Sequence, residues 1–236
     1  MIIAAAQFTA RPLDIEANVA TMTGLLTEAA GRGASLVVFP ELAVSGYELA
    51  AIAADPDRLT LEPDDARLRP LRAACRETGV TAVVNCAGRG PVISSLVYGP
   101  DGELLTRYDK QCVTPTEQSA CFVAGTGDGR FTVDGVRVGL LICFDAHFPE
   151  LTARAVADGC SLVVASSLYG RSGGVEERAE IFPALAKGSG VPVLLANHVG
   201  PAGGYTGCGL SAVWAPDGSL LAEAPEDAAG LALAEI

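Results

Sequence analysis

Short apolar runs recur along this chain, and most stop abruptly at a proline, a glycine or a polar residue. The opening Met1–Gln7, then Ser35–Phe39, Val80–Cys86, Val92–Tyr98, Arg137–Ile142, Ser161–Ala165 and Val191–Asn197 read as strands. Segments of helical period lie between them. Ile15 to Gly31 follows Asp14, a candidate N-cap, and closes in glycines. Ala66 to Thr78 places Leu68, Leu71, Ala74 and Cys75 on one face. A helix from Pro149 to about Asp158 opens with a proline, whose missing N–H is an orphan in a first turn anyway. Gly173 to Lys187 should hold another helix, with Pro183 forcing a bend or a late start. Asp55 to Asp65 reads as a surface loop, Gly99-Pro100-Asp101-Gly102 as a hairpin turn into a strand at Leu104, and the end of the chain as two or three short strands.

Alternating strands and helices interrupted by hairpins exclude a purely parallel doubly wound sheet. They suit an α/β protein with two mixed sheets and helices outside. No internal repeat or linker divides the 236 residues, so residues 1–236 are expected to form a single domain.

Half the residues are hydrophobic and only 19% are charged, which argues for a filled core and against disorder. A net charge of −12 disfavours nucleic acid as a partner, because phosphate contacts need clustered Lys and Arg. The seven cysteines are scattered without a Cys-x-x-Cys pair, which disfavours zinc ribbons and dithiol redox motifs and points to a reduced, cytoplasmic setting. The apolar opening lacks a charged leader and reads as a first strand, and no apolar run approaches a membrane span. Gly125 to Gly129 has neither the spacing nor the following helix of a phosphate cradle. No metal or cofactor is expected.

Three strand ends carry the candidate chemistry. Gly139–Ile142 runs into Cys143, with Phe144-Asp145-Ala146-His147-Phe148-Pro149-Glu150 directly after it. Ser35–Phe39 runs into Pro40 and Glu41, and Lys110 follows the strand-like Glu103–Thr106 and Arg107-Tyr108-Asp109. Each residue alone has an ordinary reading, a packed thiol or a solvated charge. Together they supply what amide hydrolysis through a thioester needs. Cys143 is the nucleophile, and Glu41 takes the thiol proton and later activates water. Lys110 lowers the thiol pKa and holds the oxyanion, with the backbone N–H of Phe144 as second donor. A papain-like site would use histidine as base, and the chain has only His147 and His198.

In these motifs the chain resembles the nitrilase superfamily of carbon–nitrogen hydrolases, which uses a Glu-Lys-Cys triad in this order. Phe39-Pro40-Glu41, Tyr108-Asp109-Lys110 and Ile142-Cys143-Phe144-Asp145 carry the likeness, supported by Ala4–Phe8, Leu194–Gly200 and Gly209–Gly218. The resemblance implies a four-layer α-β-β-α sandwich, a homodimer extending it, and a positioning role for Glu117, seven residues after the lysine. The chain departs from the common pattern at Cys112, His147, Ala165–Gly170 and Ala186–Ser189, which bears on substrate rather than chemistry.

Phe144-Asp145 after the nucleophile looks more like the amidase and carbamoylase branches than like true nitrilases, which tend to carry Trp-Glu there. The expected activity is cleavage of a small amide or carbamoyl substrate, releasing ammonia or an amine. His147, Tyr169 and Arg171 are candidates for substrate contact, although His147 equally suits a loop-fixing hydrogen bond. Three other readings stand beside this one: an acyltransferase using the same thioester, a catalytically silent binding or assembly module, and a Cys-His hydrolase using His147 or His198.

Overall fold

The computed structural model describes residues 1–236. Fourteen strands and seven α-helices alternate along the chain. The first sheet joins β14 (Gly230–Glu235), β1 (Ile2–Gln7), β2 (Ala34–Val38), β3 (Thr81–Gly88), β4 (Val92–Tyr98) and β5 (Leu104–Asp109), in that order. The second joins β13 (Leu220–Glu223), β12 (Ala212–Trp214), β9 (Val193–Asn197), β8 (Leu162–Ser167), β7 (Val136–Ile142) and β6 (Arg130–Val133). Both are mixed: β1, β2 and β3 run parallel, as do β7, β8 and β9, and the outer pairings are antiparallel. The sheets meet face to face through β1 and β9, β2 and β8, and β4 and β7. Strands covered on both faces need apolar side chains on both, which is why β8 and β9 read as continuous runs and are buried throughout.

Helices complete the outer layers. On the first sheet lie α1 (Ile15–Gly31) and α4 (Arg69–Thr78), and on the second α6 (Pro149–Ala157) and α7 (Gly174–Ser189). The result is the expected α/β sandwich of two mixed sheets flanked by helices. Asp14 caps α1 as its sequence position suggests, its carboxylate accepting from the Ala17 N–H at 3.1 Å.

Three sequence expectations need correction. Asp55–Asp65 is not simply a loop, because α2 (Leu49–Ala54) is followed by a single helical turn, α3 (Pro56–Leu59), with Pro56 at its first position. Helix α7 does not start late. It runs unbroken from Gly174 through Pro183 to Ser189, because Phe182, Leu185 and Ala186 bury its inner face and Phe182 stacks on Trp214 at 5.4 Å. Five strands rather than two or three follow β9. They include a separate hairpin, β10 (Val199–Ala202) with β11 (Tyr205–Cys208), whose glycine-rich sequence hides its pairing.

Candidate active site

Glu41, Lys110 and Cys143 each lie just beyond the carboxyl end of a strand, β2, β5 and β7 respectively, and the packing of the two sheets brings these ends together. The turn after β2 is held from both sheets. Glu41 N–H reaches the Ser167 carbonyl at 3.5 Å, and the His198 imidazole Nε2 sits 2.5 Å from the Glu41 carbonyl. Leu42, next to it, takes a left-handed φ of +50° and donates its N–H to Asn85 Oδ1 at 2.6 Å. Lys110 is anchored by its own backbone, donating to the Ile93 carbonyl and accepting from Gly125 N–H, both at 2.8 Å. That contact explains the glycine-rich loop. A Cβ at Gly125 would lie 2.5 Å from the Asp109 carbonyl oxygen, and one at Gly129 equally near Tyr108 Cβ.

Cys143 begins a 3-10 turn (Cys143–His147) with φ of +46°, a left-handed conformation that a non-glycine residue holds only when its surroundings impose it. Asp145 does so. Its carboxylate accepts from Ile142 N–H at 2.9 Å, Cys112 N–H at 2.8 Å and Tyr108 O–H at 2.7 Å, tying the turn to the segment around Lys110. In such a first turn the Phe144 N–H has no preceding carbonyl to bond, which leaves it available as a donor.

The buried charges form one cluster. Lys110 Nζ donates to Glu41 Oε1 at 2.7 Å and to Glu117 Oε1 at 2.6 Å, with none of the three side chains exposed. Glu117 is fixed by a capping box on α5 (Pro115–Ser119), its other oxygen accepting from Thr114 N–H at 2.8 Å, and it also takes a bond from Tyr47 O–H at 2.7 Å. Burial alone would pull the lysine down. Glu41, Cys143 and Glu117 together outweigh it and keep Lys110 protonated. Burial pushes Glu41 up to about 7 against the pull of Lys110, and its Oε2 has no partner among the protein atoms. Burial and the Glu41 carboxylate also hold the Cys143 thiol well above its ordinary value. Lys110 does pull the thiol down, as the sequence suggests, but the other two effects win, so the resting sulfur is a thiol and the base must act as attack occurs.

Neither imidazole is bonded to the sulfur, which contacts the Leu168 carbonyl at 3.9 Å and faces the Glu41 carboxylate. His198 is sealed in the interior, held near pKa 4 by burial and committed to the Glu41 backbone. His147 pairs with Glu177 at 3.2 Å and lies against the Phe144 ring at 4.8 Å. The geometry removes the Cys-His reading.

Cys143 and Phe144 open into a cavity of about 600 Å³, whose walls include His147, Tyr169, Arg171, Glu177, Tyr47 and Tyr205. The three weaker sequence candidates therefore share one wall set with the thiol. Arg171 stands 4.0 Å from Glu226, and Tyr169 is fixed by Asn197, which bonds both its N–H, at 2.7 Å, and its carbonyl, at 3.2 Å. A groove of about 670 Å³ between α6 and α7 shares only His147 with this cavity and is lined by no cysteine. Tyr47, Asn85, Tyr108, Asp145 and Asn197 were not singled out from sequence as parts of the site. Tyr108, Asp145 and Asn197 lie inside the quoted motifs, whereas Tyr47 and Asn85 carry no local signal.

Comparison with known proteins is consistent across sequence and structure. The family model for carbon–nitrogen hydrolases matches residues 2–236. An (R)-stereoselective amidase from a Pseudomonas species is 32% identical over 240 residues, covering 96% of this chain and 82% of that protein. A nitrilase from Pyrococcus abyssi is 28% identical over 238 residues, covering 99% of this chain and 88% of its own. Two structures of a nitrilase-superfamily amidase from Nesterenkonia sp. AN1 superpose with a TM-score of 0.90 at 31% identity, covering 100% of this chain and 90% of theirs. One carries the acetamide moiety of fluoroacetamide covalently on its active-site cysteine, and the other holds butyramide.

Proposed function

This chain belongs to the carbon–nitrogen hydrolase family, a cysteine-dependent hydrolase of the amidase kind, and we propose that Cys143, Glu41 and Lys110 are the residues with which it cleaves a small non-peptide amide or carbamoyl substrate. The observation that carries the assignment is the sealed Glu41–Lys110–Glu117 cluster set against the one cysteine that both opens a strained turn and lines the cavity. Glu41 accepts the thiol proton as Cys143 Sγ attacks the amide carbon. Lys110 Nζ and the Phe144 N–H hold the oxyanion that forms. The protonated Glu41 then gives its proton to the departing nitrogen, the C–N bond breaks, and ammonia or an amine leaves. Water delivers a proton to Glu41 and attacks the thioester. The C–S bond breaks, the acid departs, and the proton returns to sulfur. Glu117 does not touch the reacting atoms; it positions Lys110.

His147, Tyr169 and Arg171 form the proposed substrate-facing wall. A second copy of this chain is the proposed partner, tested by the mass in solution. Acyl transfer uses the same thioester with an amine in place of water, and hydroxylamine trapping separates the two. Ammonia release from short aliphatic, ω-amidic and carbamoyl substrates tests the assignment. Turnover by the wild type and none by Cys143→Ala or Cys143→Ser is expected, since an alkoxide forms far less readily than a thiolate. Full activity in Cys143→Ala removes the scheme. A wild type that neither releases ammonia nor forms a hydroxamate with hydroxylamine favours the silent-module reading.

A further inference from the structure

A second cavity adjoins the catalytic one. It has a volume of about 610 Å³ and is walled largely by short apolar side chains, Leu49, Ala50, Ala51 and Ala53 from α2 and Ala120 beyond α5. Tyr47, Thr116 and Tyr205 line both cavities. Tyr47 and Tyr205 meet edge to face, their ring centroids 6.1 Å apart at 78°.

The two rings are held very differently. Tyr47 is buried, its hydroxyl fixed on Glu117. The hairpin turn presses on its backbone so closely that a Cβ at Gly203 would overlap the Tyr47 carbonyl. Tyr205 is 47% exposed and stands on the short β10–β11 hairpin, outside both large sheets. One side of the boundary is thus built into the core and the other is a surface aromatic that can swing toward solvent on a fast timescale. The chambers also differ in character. Threonines, Ser172, Arg171, His147 and Glu177 give the catalytic chamber a polar lining, whereas the neighbour is mainly apolar, with Glu48, Ser119, Cys121 and the shared Thr116 among its alanines and Leu49.

We propose that Tyr205 is a movable partition and that the neighbouring cavity is a subsite for the apolar far end of amides too long for the catalytic chamber. The occupant follows from continuity and chemistry. The chambers share a wall, and an aliphatic tail extended past it leaves a polar lining to bury against methyl groups. Tyr205 is then a specificity-determining residue that limits the length of the acyl chain. The inference rests on the amidase reading above.

The test compares kcat/KM for acetamide, butyramide, hexanamide and octanamide in the wild type and in Tyr205→Ala. The hexanamide-to-acetamide ratio is expected to rise about tenfold in Tyr205→Ala, the gain from burying about two further methylenes. Adding Ala50→Phe, which fills the subsite from α2, should cancel that gain. Tyr205→Leu serves as the same probe if the alanine variant does not fold. An unchanged ratio in a variant that still hydrolyses acetamide overturns the partition, and so does a raised ratio that survives Ala50→Phe. A wild type silent on every amide removes the amidase reading itself, and the subsite with it.

Discussion

Lys110 donates to Glu41 at 2.7 Å in a place where neither side chain is reached by solvent. Two charges so buried are not there for stability, because desolvation offsets most of what their attraction contributes. The pair makes chemical sense as a cation held ready for a developing oxyanion beside a base held ready for a proton. Removing one partner is costly, since the other charges stay behind uncompensated. Lys110→Met is expected to destabilise the protein by about 3–5 kcal/mol and to lower kcat at least about a hundredfold. Urea unfolding together with ammonia release reads both. Glu117→Gln keeps the shape and an acceptor for Lys110, so its losses should be distinctly smaller; equal losses would contradict a positioning role.

The rate should carry an acid limb set by Glu41. Burial raises this carboxyl to about 7, and it works as a base only when ionised, so kcat/KM is expected to fall as pH drops through about 7 rather than through the ordinary carboxylate range. Glu41→Gln should lower kcat by about 10²–10⁴ and abolish the limb. It should also slow iodoacetamide labelling of Cys143 at neutral pH, because the thiol is held high and needs a base to react. A wild-type profile flat from pH 5 to pH 8 would remove Glu41 as the base.

Asp145 holds the turn that Cys143 opens. It accepts from Ile142, Cys112 and Tyr108, and burial raises its own carboxyl. Asp145→Ala strands two backbone donors and is expected to cost about 2–4 kcal/mol, with kcat falling more than KM changes. Tyr108→Phe gives up one hydrogen bond and should cost about 1 kcal/mol. If Asp145→Ala raised KM and left kcat alone, the residue would belong to substrate binding instead.

The strand ends were readable before the fold because proline and cysteine interrupt the apolar runs at Phe39-Pro40-Glu41 and Ile142-Cys143. Helix α1 was readable to its bounds because its cap and its period agree. What stayed hidden depends on distance in the chain. Nothing near Tyr47 announces a bond to Glu117, seventy residues on, and nothing near Asn85 announces its clamp on Leu42. Pro183 misled for a related reason. Its local cost to a helix is real, but the packing of Phe182 on Trp214 lies outside any local window. His198 looked like a candidate base from its type alone, and only its burial and its bond to the Glu41 backbone show it to be a support.

That support has a measurable consequence in acid. His198 is held near pKa 4 in the folded chain, below its ordinary 6.5, because burial disfavours the charged ring. Between those values the unfolded chain binds a proton that the folded chain refuses, so the contribution is intact above pH 6.5 and is lost as pH falls toward 4. The loss amounts to about 3 kcal/mol. It should appear as a falling urea midpoint over that window in the wild type. His198→Gln can keep a donor to the Glu41 carbonyl but cannot titrate, so its midpoint should fall less steeply over the same range. Superimposable pH slopes for the two proteins would mean that the imidazole gains its proton without unfolding the chain. In that case the turn carrying Glu41 would tolerate a charge behind it.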